Sequence, residues 1–162
     1  VTIDNSVINA KHFGIQVCAG DLTVTGDKTV VTATGAPQAK TDGDGPIIDG
    51  AAISVVEREG YRDLGAVAIE GGTFKASDAS KAVKAYAFSN ADRVEGEWPD
   101  AGSVVAVSGG SFSDPVDEGI CADGFAPQQN ADGTFGVHEV HHFPFGCRLS
   151  LGRVRDLRCG EQ

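Results

Sequence analysis

A short motif occurs twice in this chain: Ile69-Glu70-Gly71-Gly72-Thr73-Phe74 recurs as Val107-Ser108-Gly109-Gly110-Ser111-Phe112. An alternating run typical of a β-strand leads into each copy, Val67-Ala68-Ile69 and Val105-Ala106-Val107. Repetition of one unit along a chain indicates supersecondary structure stacked on itself. The repeat therefore constrains the fold more than any other feature of the sequence.

The composition favours strands and limits the classes of partner. Val, Ile, Thr and Ala dominate the apolar stretches of the 162 residues, and 22 residues are Gly. No apolar run approaches the roughly 20 residues that a membrane-spanning helix needs. The net charge of −10 argues against a nucleic-acid partner, because phosphate binding requires clustered Lys and Arg.

Alternating runs bounded by Gly, Asp and Asn predict a series of short strands. Four strand–turn units open at residues 1–4, 22–26, 67–70 and 105–108. Further strands are predicted at residues 14–17, 46–50, 52–56 and 82–87. Equivalent strands lie tens of residues apart without two-residue hairpin turns between them, as parallel pairing requires.

The alternation places Ile3, Val24, Ile69 and Val107 on the same face of successive strands. Stacked parallel coils would bury these aliphatic residues in a ladder, with Thr73 and Phe74 beside Ser111 and Phe112 in the adjacent coil. The Gly-Gly pairs suit corners at which the backbone needs a positive φ. A β-sandwich in which the Gly-Gly turns are coincidental is the alternative.

The two Gly-Gly motifs resemble the repeats of right-handed parallel β-helix (pectin-lyase-like) domains of bacterial surface and secreted proteins. The acidic turn after residue 112 and the Asn130-Ala131-Asp132-Gly133-Thr134 segment add to the resemblance. It implies an all-β, right-handed, single-stranded parallel β-helix over residues 1–137, with a small C-terminal cap near 114–137. It also implies an extracellular or cell-surface location and further domains of a larger parent chain.

Two local signals describe the expected cap. Ser113 or Asp114 can N-cap a short helix with Pro115 near its first position, so that Val116 and Ile120 share a face. Residues 130–133 are a turn signal between two strands. Residues 138–162 leave the repeat pattern and are mildly basic, and we interpret them as a cap extension, a linker or a tail.

Two loops carry the candidate ligand-binding residues. Residues 57–65 and 90–100 precede the strands of the two repeat copies, so stacked coils would place both loops at one corner. They contain Tyr61, Arg62, Arg93 and Trp98. Aromatic faces stack on sugar rings and Arg binds carboxylates, so these residues could form a carbohydrate site. Alternatively, Tyr61 and Trp98 anchor their own loops.

No metal or cofactor is expected. Asp42-Gly43-Asp44-Gly45 has Ile53 where an EF-hand loop would need Glu, and a plain turn is the better interpretation. The possible zinc ligands, whose spacing matches no usual structural site, are His138, His141, His142, Cys147 and Cys159. The four cysteines, Cys18, Cys121, Cys147 and Cys159, allow either disulfides or buried free thiols.

No sequence signature of catalysis is present, so no catalytic residue is assigned. We therefore expect a non-catalytic surface or secreted module, structural or adhesive, whose partner is a cell-surface or dietary polysaccharide. The alternative is a polysaccharide lyase or glycoside hydrolase with an unrecognised site, for which pairs of carboxylates among 23 acidic residues are not sufficient evidence. A purely structural spacer is a third interpretation.

Overall fold

The chain folds into fourteen short strands within the residues that the structure, a computed structural model, describes: 1–38, 45–58, 60–89, 94–96 and 104–140. The strands are β1 (Thr2–Asp4), β2 (Val7–Ala10), β3 (Ile15–Val17), β4 (Gly20–Thr25), β5 (Val30–Ala33), β6 (Ile53–Arg58), β7 (Leu64–Ile69), β8 (Thr73–Lys75), β9 (Val83–Ser89), β10 (Val94–Gly96), β11 (Val105–Val107), β12 (Ser111–Phe112), β13 (Phe125–Gln129) and β14 (Phe135–Glu139).

The strands visit three sheets in a repeating order. Strands β1, β4, β7 and β11 are neighbours in the first sheet, β2, β5, β8 and β12 in the second, and β3, β6 and β9 in the third. Each of these neighbouring pairs is parallel. Parallel neighbours need a long connection between them, and here that connection passes through the other two sheets. The protein is therefore all-β and built on parallel sheets.

The predicted aliphatic ladder is present in the first sheet. Ile3 pairs with Val24, Val24 with Ile69, and Ile69 with Val107. Val24, Ile69 and Val107 are completely buried in the main core. Burial of each such side chain contributes about 1.5–3 kcal/mol, so the ladder is a major source of stability. The prediction of a shared face is confirmed.

The repeated motif stacks on itself at the turn between the first and second sheets. Phe74 pairs with Phe112, and the two rings are stacked with centroids 5.1 Å apart. Gly72 and Gly110 adopt φ angles of 113° and 114°, which residues with a Cβ rarely adopt. A Cβ on Gly110 would lie 3.1 Å from both phenylalanine rings. Both the stacking and the positive φ agree with the prediction.

A hairpin ends the second sheet and makes that sheet mixed. Strand β14 pairs antiparallel with β12 and with β13, so the edge of β12 is covered. The predicted turn at 130–133 connects β13 to β14, with the Asn130 amide donating to the Thr134 carbonyl over 2.8 Å. The Thr134 hydroxyl donates to Asp132, and this bond lowers the pKa of that carboxyl. The second sheet thus departs from a uniformly parallel arrangement.

The prediction of the helix cap was wrong in its position. A 3-10 helix spans Glu118–Ile120, and its N-cap is Asp117, whose carboxylate accepts from the Gly119 amide. Ser113 and Asp114 have another role, because they accept bonds from backbone amides near strands β8 and β9. The Ala76 amide donates to the Ser113 hydroxyl over 3.1 Å, and the Ala82 amide donates to the Asp114 carboxylate over 2.9 Å.

The predicted strand at 46–50 was also wrong. These residues form an irregular segment that lies against the third sheet, where the Gln16 side chain replaces a strand partner. The Ile47 amide donates to Gln16 Oε1 over 3.1 Å, and Gln16 Nε2 donates to the Ile47 carbonyl over 3.0 Å. Strand β6 is consequently buried on both faces: Val55 belongs to the main core, and Val56 to a second cluster with Ile47, Tyr86 and Phe88.

Candidate binding site at the corner between the third and first sheets

The two connections that contain the candidate ligand-binding residues are flanked by paired strands. Strand β6 pairs with β9 in the third sheet, with Arg58 opposite Phe88. Strand β7 pairs with β11 in the first sheet, with Val67 opposite Val105. The connection from β6 to β7 and the one from β9 to β11 therefore both run from the third sheet to the first. The second connection includes β10, which folds back antiparallel onto β9.

Tyr61 lies in the first of these connections on a tight turn. Its amide donates to the Arg58 carbonyl over 3.1 Å, and Gly60 adopts a φ of 88°, which favours glycine. The turn brings the Tyr61 ring close to the side chain of Arg58, three residues earlier: the guanidinium carbon lies 5.7 Å from the ring centroid. Tyr61 remains 49% exposed. A large aromatic side chain is thus supported from the protein side and open to solvent.

Arg58 supports the turn from within the protein. Only 4% of its surface is exposed, and its guanidinium carbon also lies 5.6 Å from the centroid of the Phe88 ring. Nη1 donates to the Gly45 carbonyl over 2.7 Å. Cation–π contacts of desolvated Arg are worth about 2 kcal/mol, so these contacts offset part of the cost of burying the charge.

Of the other three predicted ligand-binding residues, one is exposed and two lie outside the described residues. Arg62 follows Tyr61 and is exposed. Arg93 and Trp98 lie outside the described residues, as does the Asp42–Asp44 part of the calcium-like turn. The same holds for residues 141–162, which include His141, His142, Cys147, Cys159 and all but the first three residues of the predicted tail. Of the four predicted ligand-binding residues, the structure therefore describes Tyr61 and Arg62 only.

A buried polar group beside this corner was not predicted from the sequence. Asp49 is only 1% exposed, and its carboxylate accepts from the Tyr86 hydroxyl over 2.7 Å and from the Ala51 amide over 3.0 Å. The Asp49 carbonyl accepts from the Ser80 hydroxyl over 2.5 Å. Asp49 belongs to the segment at 46–50, for which the sequence predicts a strand, and no local signal marks its carboxylate as buried.

The described cysteines carry free thiols. Burial raises the pKa of the Cys18 thiol above its usual value; Arg58 opposes this shift and Asp49 adds to it. Burial likewise raises the pKa of Cys121, with the carboxylates of Glu118 and Asp117 adding to the effect. Both thiols are therefore poor nucleophiles at neutral pH.

Within the described residues, no three side chains of His, Cys, Asp or Glu are grouped so that they could hold a metal ion. No helix among these residues is long and apolar enough to cross a membrane.

No family model matches the chain, and comparison with curated proteins and with solved structures gives no significant match.

Proposed function

We propose that this chain is a non-catalytic β-helix module of an extracellular or cell-surface protein, and that it binds glycan at the corner between the third and first sheets. In this proposal the repeating order of the three sheets forms right-handed parallel coils, capped by the β13–β14 hairpin. The resemblance of the Gly-Gly motifs to pectin-lyase-like repeats supports the handedness and the location. Further domains of the parent chain belong to the same proposal.

The observation that carries the glycan proposal is the position of Tyr61. A half-exposed aromatic ring with a buried cation behind it presents a flat surface at a fixed place. Ligand sites combine such aromatic surfaces with a few polar groups that give orientation. Arg62 follows in the chain, and the second connection, which contains Arg93 and Trp98, leaves a strand that is paired with β6.

In this proposal Tyr61 and Trp98 stack on sugar rings, while Arg62 and Arg93 donate hydrogen bonds to hydroxyl or carboxylate oxygens of the glycan. Arg presents its donors in a planar fork, which suits two neighbouring oxygens. Such a site needs no catalytic group and no metal. It gives a rigid parallel-stranded scaffold an adhesive function, with cell-surface or dietary polysaccharide as the partner.

A glycan array tests the proposal. The purified chain is screened with and without calcium, beside Tyr61→Ala, Trp98→Ala and the double variant. We expect the double variant to lose at least about tenfold in affinity for the bound glycans, which corresponds to about 1.4 kcal/mol.

The control is Val7→Ala, because Val7 is also an exposed apolar residue but lies on β2 in the second sheet. This variant should bind as the unaltered chain does. Absence of binding to any glycan, or equal binding by the double variant, would contradict the proposal.

A further inference from the structure

Arg58 holds three separate parts of the chain together. Its guanidinium lies over the ring of Tyr61 in the connection after β6 and over the ring of Phe88 in β9. It also donates to the carbonyl of Gly45, which precedes the segment covering the third sheet. Burying a charged group to this degree is costly unless its N–H groups are hydrogen-bonded and its faces contact other groups. All these contacts of Arg58 meet at one corner.

Arg58 and Tyr61 contact each other through the backbone as well as through their side chains. The amide of Tyr61 bonds to the carbonyl of Arg58, and Gly60 supplies the left-handed φ that closes this turn. The pairing of Arg58 with Phe88 fixes the other side of the guanidinium, because both residues belong to paired strands of the third sheet. The ring of Tyr61 is therefore positioned by a group that is itself held by the sheet.

We infer that Arg58 is a positioning residue: its buried guanidinium holds the half-exposed Tyr61 ring in one orientation before any ligand arrives. The nature of the ligand, a glycan, rests on the proposed function, whereas the orientation of the Tyr61 ring does not. A side chain that is already ordered avoids the loss of rotamer entropy on binding. That loss would otherwise weaken binding by about twofold to tenfold.

A lysine at position 58 could not replace this function. The guanidinium is planar and delocalised, so it can lie over two rings while an N–H donates to a carbonyl. An ammonium group keeps the charge but is a compact, strongly hydrated point charge on a flexible stem. Arg58→Lys therefore separates the geometry of the group from its charge.

Nuclear magnetic resonance of the glycan-free chain tests the inference. The chain has two tyrosines, Tyr61 and Tyr86, so a Tyr61→Phe variant assigns the ring signals. We expect the Hα–Hβ couplings of Tyr61 to report a single side-chain rotamer, with nuclear Overhauser contacts from its ring to the Arg58 side chain. In Arg58→Lys the couplings should shift to averaged values and the contacts to residue 58 should be lost.

Lys84→Met is the matched control. The Lys84 ammonium lies 4.8 Å from the centroid of the Tyr86 ring on the same sheet, so this variant also removes a cation from an aromatic ring. It should leave the Tyr61 couplings unchanged. Averaged couplings of Tyr61 in the unaltered chain would overturn the inference without any variant, and so would unchanged couplings in a folded Arg58→Lys. Because no glycan is present, this result is independent of the glycan array.

Discussion

Replacement of Phe74 and Phe112 by leucine tests whether the repeated motif stabilises the protein through its stacked rings. Both side chains are buried, and their ring centroids are 5.1 Å apart. Each single replacement keeps an apolar side chain and should reduce the free energy of unfolding by about 1.5 kcal/mol. Stacked aromatic pairs contribute about 0.5–1.5 kcal/mol beyond their burial. The pair contribution is already lost in either single variant.

The double replacement should therefore lower the free energy of unfolding by about 2 kcal/mol, less than the sum of the two single effects, which is about 3 kcal/mol. Urea unfolding followed by circular dichroism measures the free energies of unfolding of the four proteins in this cycle. Phe74→Leu combined with Phe88→Leu is the control, because Phe88 belongs to the second cluster. The control pair should be additive within about 0.5 kcal/mol. A Phe74–Phe112 coupling no larger than that of the control would refute the reasoning.

Two further predictions concern the corner glycine and the thiols. Gly110→Ala should destabilise the chain more than Gly124→Ala in the same unfolding assay. Both residues have positive φ, a conformation that costs a residue with a Cβ about 1–2 kcal/mol of stability. Only at Gly110 would the new methyl group also crowd the two rings, so equal losses would contradict this explanation. Arg58→Met should shift the pH dependence of Cys18 alkylation to higher pH, because the guanidinium opposes the effect of burial on the Cys18 pKa. Cys121, whose pKa Arg58 does not influence, is the internal control, and an unchanged Cys18 profile would show the prediction to be wrong.

Strand positions were predictable wherever period-two alternation was strong. The ladder of Ile3, Val24, Ile69 and Val107 has the pairing that the sequence indicates, because one buried face fixes the register. Strands β2 and β5, at Val7–Ala10 and Val30–Ala33, were not predicted. They are four residues long and partly polar, so their local pattern is weak, and pairing with neighbouring strands determines them.

The candidate site was predictable only in part. The sequence placed Tyr61 in the connection before the strand at 67–69, as a ligand-binding residue or an anchor of its own loop, and the structure finds it there, half-exposed. It did not indicate that Arg58 would be buried behind the ring. A cation at the end of a strand is ordinarily solvated, and here Phe88 of β9 and Gly45, which precedes the segment at 46–50, cover it. Contacts between distant parts of the chain have no local signature.

The sequence alone determined the all-β class, the parallel stacking of the repeat and the positions of the Gly-Gly corners. These properties follow from side-chain alternation and from the φ angles open to glycine, both of which are local. Only the tertiary structure decided that residues 46–50 lie against the third sheet, and that Asp49 and Arg58 are buried there. Burial depends on which distant segments cover a residue, and the Gln16 side chain that holds Ile47 comes from a strand far away in sequence.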